Sequence, residues 1–259
     1  MRRWILFLMG WLLALSAQAE TIRVAVAANF NAPLQALVAE FEQQHTDVDV
    51  RISSGSSGKL FAQIVNGAPF DVFLSADRDK PARLAEQGLA AEVNTYAIGQ
   101  LALWSAADNI DVLARLKQGD FARLAIANPK LAPYGLAAQQ TLLALHLPAD
   151  VMTAARQRQV MGENVSQVYQ FITTGNADLG FVALSHIQQP NLTPAQWPGS
   201  VWLVPDVLHQ PIRQDLALLK RSGQSQQQRL AAQQLRNFLL SPQAQPILQR
   251  FGYRAHYAD

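Results

Sequence analysis

The sequence contains no cysteine. That excludes a disulfide framework, a thiolate metal site and a lipid-modified cysteine. Beyond the N-terminal leader, no segment reaches the ~20 apolar residues that a bilayer span needs. There is no Lys/Arg run and no basic patch interleaved with aromatics, so nucleic acid is not an expected partner. The five histidines, His45, His146, His186, His209 and His256, form no H-x-x-x-H or H-E-x-x-H pair. No acidic cluster has metal-ligand spacing either, and each histidine reads as a surface or structural residue.

What is present begins with a leader. Arg2 and Arg3 precede an apolar run from Trp4 to Ser16, followed by Ala17-Gln18-Ala19. This is the layout of a secretory signal peptide over residues 1–19, with cleavage expected after Ala19. The apolar run is too short for a membrane anchor. Without the leader's two arginines the chain has 21 − 2 = 19 basic residues against 19 acidic ones. The basic pI therefore says nothing about nucleic acid. A protein free in an exported compartment, most simply a bacterial periplasm, is expected.

Strand and helix signals then alternate. "TIRVAVAA" places Ile22, Val24 and Val26 at period two, and "NAPLQALVAEFEQQ" places Leu34, Leu37, Val38 and Phe41 on one helix face. "DVDVRIS" and "FDVFLSA" read as strands, "KLFAQIVNG" and "RDKPARLAEQG" as helices stopped by Gly67 and Gly88. This βαβαβα order predicts a parallel sheet with helices on both faces. A second series follows Tyr96: strands "QLALWSA", "ARLAIAN", "DLGFVAL", "SVWLV" and "DLALL", helices "GLAAQQTLLALHL" and "NVSQVYQFITTG". The Gln-rich tail reads as helical with a break near Ser241-Pro242. Two α/β lobes are expected, although length alone also allows one doubly wound domain.

Four helix starts offer hydrogen-bond donors rather than charges: Asn29, Ser56-Ser57, Tyr134-Gly135, and Asn164-Val165-Ser166. Each such end carries unpaired N–H groups and the positive end of the dipole, and so binds anions without a cation. Ser and Asn are also ordinary N-caps, so any one of these starts is unremarkable by itself. The stretch Ser53-Ser54-Gly55-Ser56-Ser57-Gly58 offers more, because one cap needs one hydroxyl and this segment has four. It fits neither a Walker loop, nor a nucleophile elbow, nor a dinucleotide fingerprint. It reads as a receptor for a small anion.

The segments "RVAVAANF", "SSGSSGKLFAQIVNGAPFDVFLSAD", "YAIGQLALWSA", "ANPKLAPYGLAA", "GENVSQV" and "GNADLGFVAL" together resemble the periplasmic molybdate-binding proteins of ABC importers. The similarity runs over essentially the whole mature chain, in family order. It implies a two-lobed type II periplasmic binding protein fold, α/β, each lobe a mainly parallel sheet flanked by helices. Residues 20–99 with 206–259 would form the first lobe and 100–205 the second, with hinge crossings near Gly99 and Pro205. The resemblance further implies capture of molybdate or tungstate by neutral donors, delivery to an inner-membrane permease, a monomer, and no catalysis or cofactor. Carried over residue by residue, the ligand-binding positions fall on Ala28, Asn29, Ser57, Tyr134 and Val165. Ala28 stands where a hydroxyl residue can occur, which leaves only its backbone N–H. Ala183 stands where some members carry a binding tyrosine. Tyr134 is expected to act through its N–H, and Lys59 to lie in solvent on the first helical turn.

Rival expectations are a secreted serine hydrolase using Ser57, which would need a histidine base brought near by folding, and a carrier of another cargo: another tetrahedral oxyanion such as sulfate, thiosulfate or phosphate, or ferric ion. A phosphate site usually wants an acidic acceptor, and none lies in these loops. A ferric carrier wants clustered tyrosines, and only Tyr134 lies near in sequence. The effector domain of a transcription regulator shares the architecture, but the leader and the missing helix-turn-helix speak against it.

Overall fold

The computed structural model describes residues 19–254. The expected leader, apart from Ala19, and His256 lie outside the described residues. Among the described residues no helix is long and apolar enough to cross a membrane.

Two five-stranded sheets organise the chain. The first contains β1 (Glu20–Ala27), β2 (Val48–Gly55), β3 (Val72–Leu74), β4 (Ala90–Gly99) and β10 (Ile212–Leu219), in the order β2-β1-β3-β10-β4. β1 pairs in parallel with β2 and β3, whereas β10 is antiparallel to both β3 and β4. The second contains β5 (Leu101–Ser105), β6 (Leu124–Ala127), β7 (Gln159–Gly162), β8 (Leu179–Ala183) and β9 (Ser200–Leu203), in the order β7-β6-β8-β5-β9. Here β6 pairs in parallel with β7 and β8, and β5 is antiparallel to β8 and β9. One strand in each sheet therefore runs against the other four, so the sheets are mainly parallel but mixed. The chain leaves the first sheet at Gly99, enters the second at Leu101, and returns between Leu203 and Ile212.

Helices cover the sheets: α1 (Asn31–Gln44), α2 (Ser57–Val65), α3 (Asp79–Glu86), α8 (Gln226–Leu239) and α9 (Gln245–Arg250) on the first, α4 (Val112–Gln118), α5 (Pro133–Ala144), α6 (Ala149–Gln157) and α7 (Val165–Thr173) on the second. Alternation along the strands feeds both faces of the first sheet. Ile22, Val24 and Val26 pack with α1 and α8, while Ala25, Phe73 and Ala217 pack with Leu60 and Leu84 of α2 and α3. A separate core around Leu103, Leu124, Phe181 and Val168 holds the second lobe.

Several elements had no counterpart in the sequence reading: β4, β7, α4 and α6. In β4 the residues Glu92, Asn94 and Thr95 interrupt the apolar pattern, and it is the long antiparallel pairing with β10 that holds it as a strand. The Ser/Gly segment also differs from expectation. Ser53, Ser54 and Gly55 continue β2, opposite Ala25, Val26 and Ala27, and only Ser56 separates the strand from α2. The six residues therefore do not form one anion-receiving loop; only Ser56 and Ser57 at the start of α2 stand at the strand end.

Candidate functional site

Between the lobes lies a small cavity lined by Ala27, Ala28, Asn29, Gly55, Ser56, Ser57, Ala76, Ala132, Pro133, Tyr134, Asn164 and Val165. All five residues singled out in the sequence, Ala28, Asn29, Ser57, Tyr134 and Val165, are on this wall and buried. None of the lining residues is charged. The wall comes from four chain turns that each follow a strand: the 3-10 turn Ala28–Phe30 after β1, the start of α2 after β2, the start of α5 after β6, and the start of α7 after β7. Parallel pairing of β1 with β2, and of β6 with β7, puts these strand ends at one edge of each sheet, where ligands of open α/β sheets sit.

Each turn presents helix-start amides that have no carbonyl one turn earlier to accept them. In α2 the Ser56 hydroxyl caps the Lys59 N–H at 3.4 Å, leaving the Ser57 N–H at the first helical position. In α5 Pro133 has no N–H, so Tyr134 carries the first donor of that helix. In α7 the Asn164 side chain caps the Gln167 N–H at 3.1 Å, with the Val165 N–H ahead of it. The Ser57 hydroxyl adds a side-chain donor. Its oxygen accepts the Ala76 N–H at 3.0 Å, so its own proton remains to be given elsewhere. The residues that carry these donors, Ala28, Asn29, Ser57, Tyr134 and Val165, thus line one cavity free of carboxylates. Such a wall suits a compact anion that only accepts hydrogen bonds.

The side chains of Asn29 and Tyr134 point into a buried polar network instead. Asn29 Nδ2 donates to Gln214 Oε1 and to Tyr253 Oη, both at 2.9 Å, and Gln214 Nε2 donates to Tyr134 Oη at 3.3 Å. Tyr96 Oη donates to the Ser75 carbonyl at 3.1 Å and lies 3.0 Å from Gln214 Oε1. Folding therefore clusters three tyrosines, Tyr96, Tyr134 and Tyr253, where the sequence pointed to Tyr134 alone. Burial raises the phenol of Tyr96 and of Tyr134 well above the ordinary value and pushes Tyr253 up to about 12. All three phenols are neutral at pH 7 and already engaged in hydrogen bonds of the buried network.

The lobes touch across the cleft. The Gly58 N–H donates to the Leu131 carbonyl at 2.9 Å, and a Cβ at Gly58 would lie 3.0 Å from Leu131 Cα. Glycine at this position permits close approach of the second lobe, whereas a Cβ at Gly55 would meet only ordinary contacts with Leu60. Ser185 Oγ donates to the Asn29 carbonyl at 2.8 Å and Ser166 Oγ to the Ala28 carbonyl at 3.2 Å. Lys59 is not on the cavity wall. It is mostly exposed, and its ammonium pairs with Glu163 of the other lobe at 3.2 Å rather than standing wholly in solvent. Ala183, at the end of β8, is fully buried and adds no polar side chain. Ser185, Ser166, Gln214, Tyr96 and Tyr253 had no sequence signal beyond an ordinary Ser, Gln or Tyr; only the helix-start position of Ser166 stood out.

The hydrolase requirement is not met at Ser57, whose hydroxyl partner is the Ala76 amide. The serine that does meet a histidine is Ser166, 2.8 Å from His186 Nε2. Burial pushes His186 down to about 4, so it is neutral at pH 7. Among the described residues no group of three or more His, Asp or Glu could hold a metal ion. A larger interlobe cavity of about 410 Å3 adjoins the first at Ala76 and Pro133. Its charged residues include Asp77 and Lys80, which pair with each other, and Arg78, which pairs with Asp215.

Comparison with known proteins gives a consistent picture. The family model for bacterial extracellular solute-binding proteins matches residues 22–254. A molybdate-binding protein of Azotobacter vinelandii is 42% identical over 255 residues, covering 97% of this chain and 96% of the relative. Another, from Rhodobacter capsulatus, is 39% identical over 244 residues, covering 93% and 91%. The solved periplasmic molybdate-binding protein of Azotobacter vinelandii superposes with a TM-score of 0.81 at 40% identity, covering 90% of this chain and 98% of that one.

Proposed function

Because this chain belongs to the bacterial extracellular solute-binding proteins and, among them, to the family of the periplasmic molybdate-binding proteins, we propose that it captures molybdate, and with it tungstate, between its lobes and hands the anion to an inner-membrane ABC permease. It is a binding protein and not an enzyme, and the anion is cargo rather than a cofactor. One observation carries the reading of the site: four helix starts and the Ser57 hydroxyl meet in a cavity without a charged side chain.

The chemistry supports molybdate in three steps. Molybdate is a tetrahedral dianion at neutral pH whose four oxygens only accept hydrogen bonds, and the cavity offers neutral donors to meet them and no carboxylate to repel them. A buried dianion loses several kcal/mol or more of hydration. Hydrogen bonds to a charged group return about 1.5–3 kcal/mol each, and each helix start adds about 0.3–2 kcal/mol. Six donors are of the right order to offset that loss. An oxyanion that keeps a proton finds no carboxylate on this wall to accept it. Sulfate shares charge and shape but has shorter bonds, so a donor ring held rigidly by four helix starts rejects it by misfit.

Transport follows from closure. Donors from both lobes reach one ligand only in the closed arrangement, so the anion stabilises that form by its differential affinity. We assign residues 20–99 and the chain from 206 onward to the first lobe, 100–205 to the second. The single strands between Gly99 and Leu101 and between Leu203 and Ile212 act as the hinge. The mature chain acts as a monomer in the periplasm, and its N-terminal residue after export should be Glu20.

Thermal unfolding with millimolar molybdate, tungstate, sulfate and phosphate tests the reading. A ligand at ~1,000 times its dissociation constant stabilises the native state by about 4.1 kcal/mol. The melting temperature should rise by several degrees with the first two anions only. A comparable rise with sulfate would refute the misfit argument.

A further inference from the structure

One hydroxyl outside the cavity wall acts on a donor inside it. Ser166, the second residue of α7, places Oγ 3.2 Å from the Ala28 carbonyl of the opposite lobe and 2.8 Å from His186 Nε2. A serine hydroxyl has one proton. The Ala28 carbonyl can only accept, so the contact with it uses the Ser166 proton, and the pairing with His186 is then made with the imidazole protonated on Nε2. In that tautomer a directed chain crosses the cleft: His186 Nε2–H to Ser166, and Ser166 O–H to the Ala28 carbonyl.

The Ala28 carbonyl and the Asn29 N–H belong to the same peptide unit, and both residues line the cavity. A hydrogen bond accepted by a carbonyl polarises the N–H at the other end of its amide, strengthening what that N–H donates by roughly 10–30%. The same carbonyl accepts the Asn31 N–H within the 3-10 turn, so Ser166 adds a second bond that further restrains the plane of the peptide. The histidine ring is itself held, stacked on Tyr169 at 5.4 Å, with Tyr169 stacked on Trp104 at 4.8 Å. Ser185 makes a similar bond to the Asn29 carbonyl, but it also contacts Tyr253 within the buried network. Ser166 stands apart from that network.

We propose that Ser166, held by His186, is a positioning residue for anion capture. Lobe closure brings its hydroxyl to the Ala28 carbonyl, which aims and strengthens the Asn29 N–H toward the ligand. The proposal rests on the oxyanion-binding reading of the cavity given above. It makes affinity depend on a residue that never touches the anion, and only in the closed form.

The mature chain and its Ser166→Ala and Ser166→Thr variants would be titrated calorimetrically with molybdate, and their unliganded melting temperatures measured. Ser166→Ala should raise the dissociation constant about 3- to 12-fold, while the unliganded melting temperature falls by no more than a few degrees because His186 loses its partner in the same lobe. Ser166→Thr, which keeps the hydroxyl, should restore affinity to within about twofold. In the molybdate complex the Asn29 amide proton resonance should move upfield in Ser166→Ala and return in Ser166→Thr. A Ser166→Ala, His186→Gln double variant should bind no more weakly than Ser166→Ala alone, because both act through one bond. Should Ser166→Ala fail to fold, Ser166→Cys keeps the volume with a weak donor and should show the same loss. Unchanged affinity in Ser166→Ala, or a loss that tracks a lower unliganded melting temperature and is not rescued by threonine, would overturn the proposal. A wild-type chain that binds no molybdate would instead overturn the parent reading, and this one with it.

Discussion

Replacing Ser57 by alanine is the most direct perturbation of the donor wall. The side chain is 1% exposed, and its oxygen accepts the buried Ala76 N–H at 3.0 Å. Removing it does two separable things. The ligand loses one hydrogen bond to a charged acceptor, about 1.5–3 kcal/mol, which corresponds to a dissociation constant about 10- to 150-fold higher. The Ala76 amide also loses its partner whether or not ligand is bound, which costs about 1–3 kcal/mol of stability and lowers the unliganded melting temperature by a few degrees. Calorimetric titration with molybdate reads the first effect, and thermal unfolding without ligand reads the second. Ser54→Ala is the internal control. Ser54 lies exposed on β2 opposite Val26, so its loss should change neither quantity beyond about twofold or about 1 °C. If Ser57→Ala bound molybdate within twofold of the parent chain, the hydroxyl would not face the anion and the donor count would be wrong.

Other perturbations probe the remaining parts. Gly58→Ala would bring a Cβ to 3.0 Å from Leu131 Cα, so closure should weaken and molybdate affinity fall at least about fivefold, with little change in unliganded melting; equal affinity would show that this contact does not limit closure. Lys59→Met removes only the exposed pair with Glu163, so affinity should change less than about fivefold, and a larger loss in titration would mean that the ammonium reaches the anion. His186 has a folded pKa lowered to about 4 from an unfolded value of 6.5. Its contribution is complete above pH 6.5 and is lost as pH falls toward 4, because the unfolded chain takes up the proton first. Chemical unfolding should show that His186→Gln flattens this window by at most about 3 kcal/mol; an unchanged slope would mean that the imidazole is not buried as neutral. Finally, ultraviolet titration should show no phenolate from Tyr253 until about pH 12, and adding ferric ion should produce no visible phenolate-to-iron band.

The fold was legible where the local pattern and the tertiary role agree. β1, α1, α2 and α7 begin and end close to where the alternation, the helix-face spacing and the caps put them. The elements that escaped are short or half-polar. β7 has four residues, and β4 carries Glu92, Asn94 and Thr95 in its middle; both depend on a neighbouring strand for their hydrogen bonds. The Ser/Gly motif drew attention to a segment that lines the interlobe cavity, but not as a single loop. Ser53 and Ser54 are strand residues, and Gly58 serves the approach of the second lobe rather than a nest of amides.

The candidate wall shows the same division. Local sequence determines that helices begin near Asn29, Ser57, Tyr134 and Val165, because caps, prolines and apolar spacing act over a few residues. It also determines that these starts carry no charge. Whether four starts scattered over more than a hundred residues face one point is decided by strand order and by lobe closure, which are long-range. Tertiary structure alone turned the side chains of Asn29 and Tyr134 away into the Gln214–Tyr253 network, leaving their amides for the cavity. It alone set Ser166 against the Ala28 carbonyl, 138 residues away in sequence. A hydrogen bond between lobes leaves no periodicity in the chain, since its two ends are selected by packing and not by their neighbours.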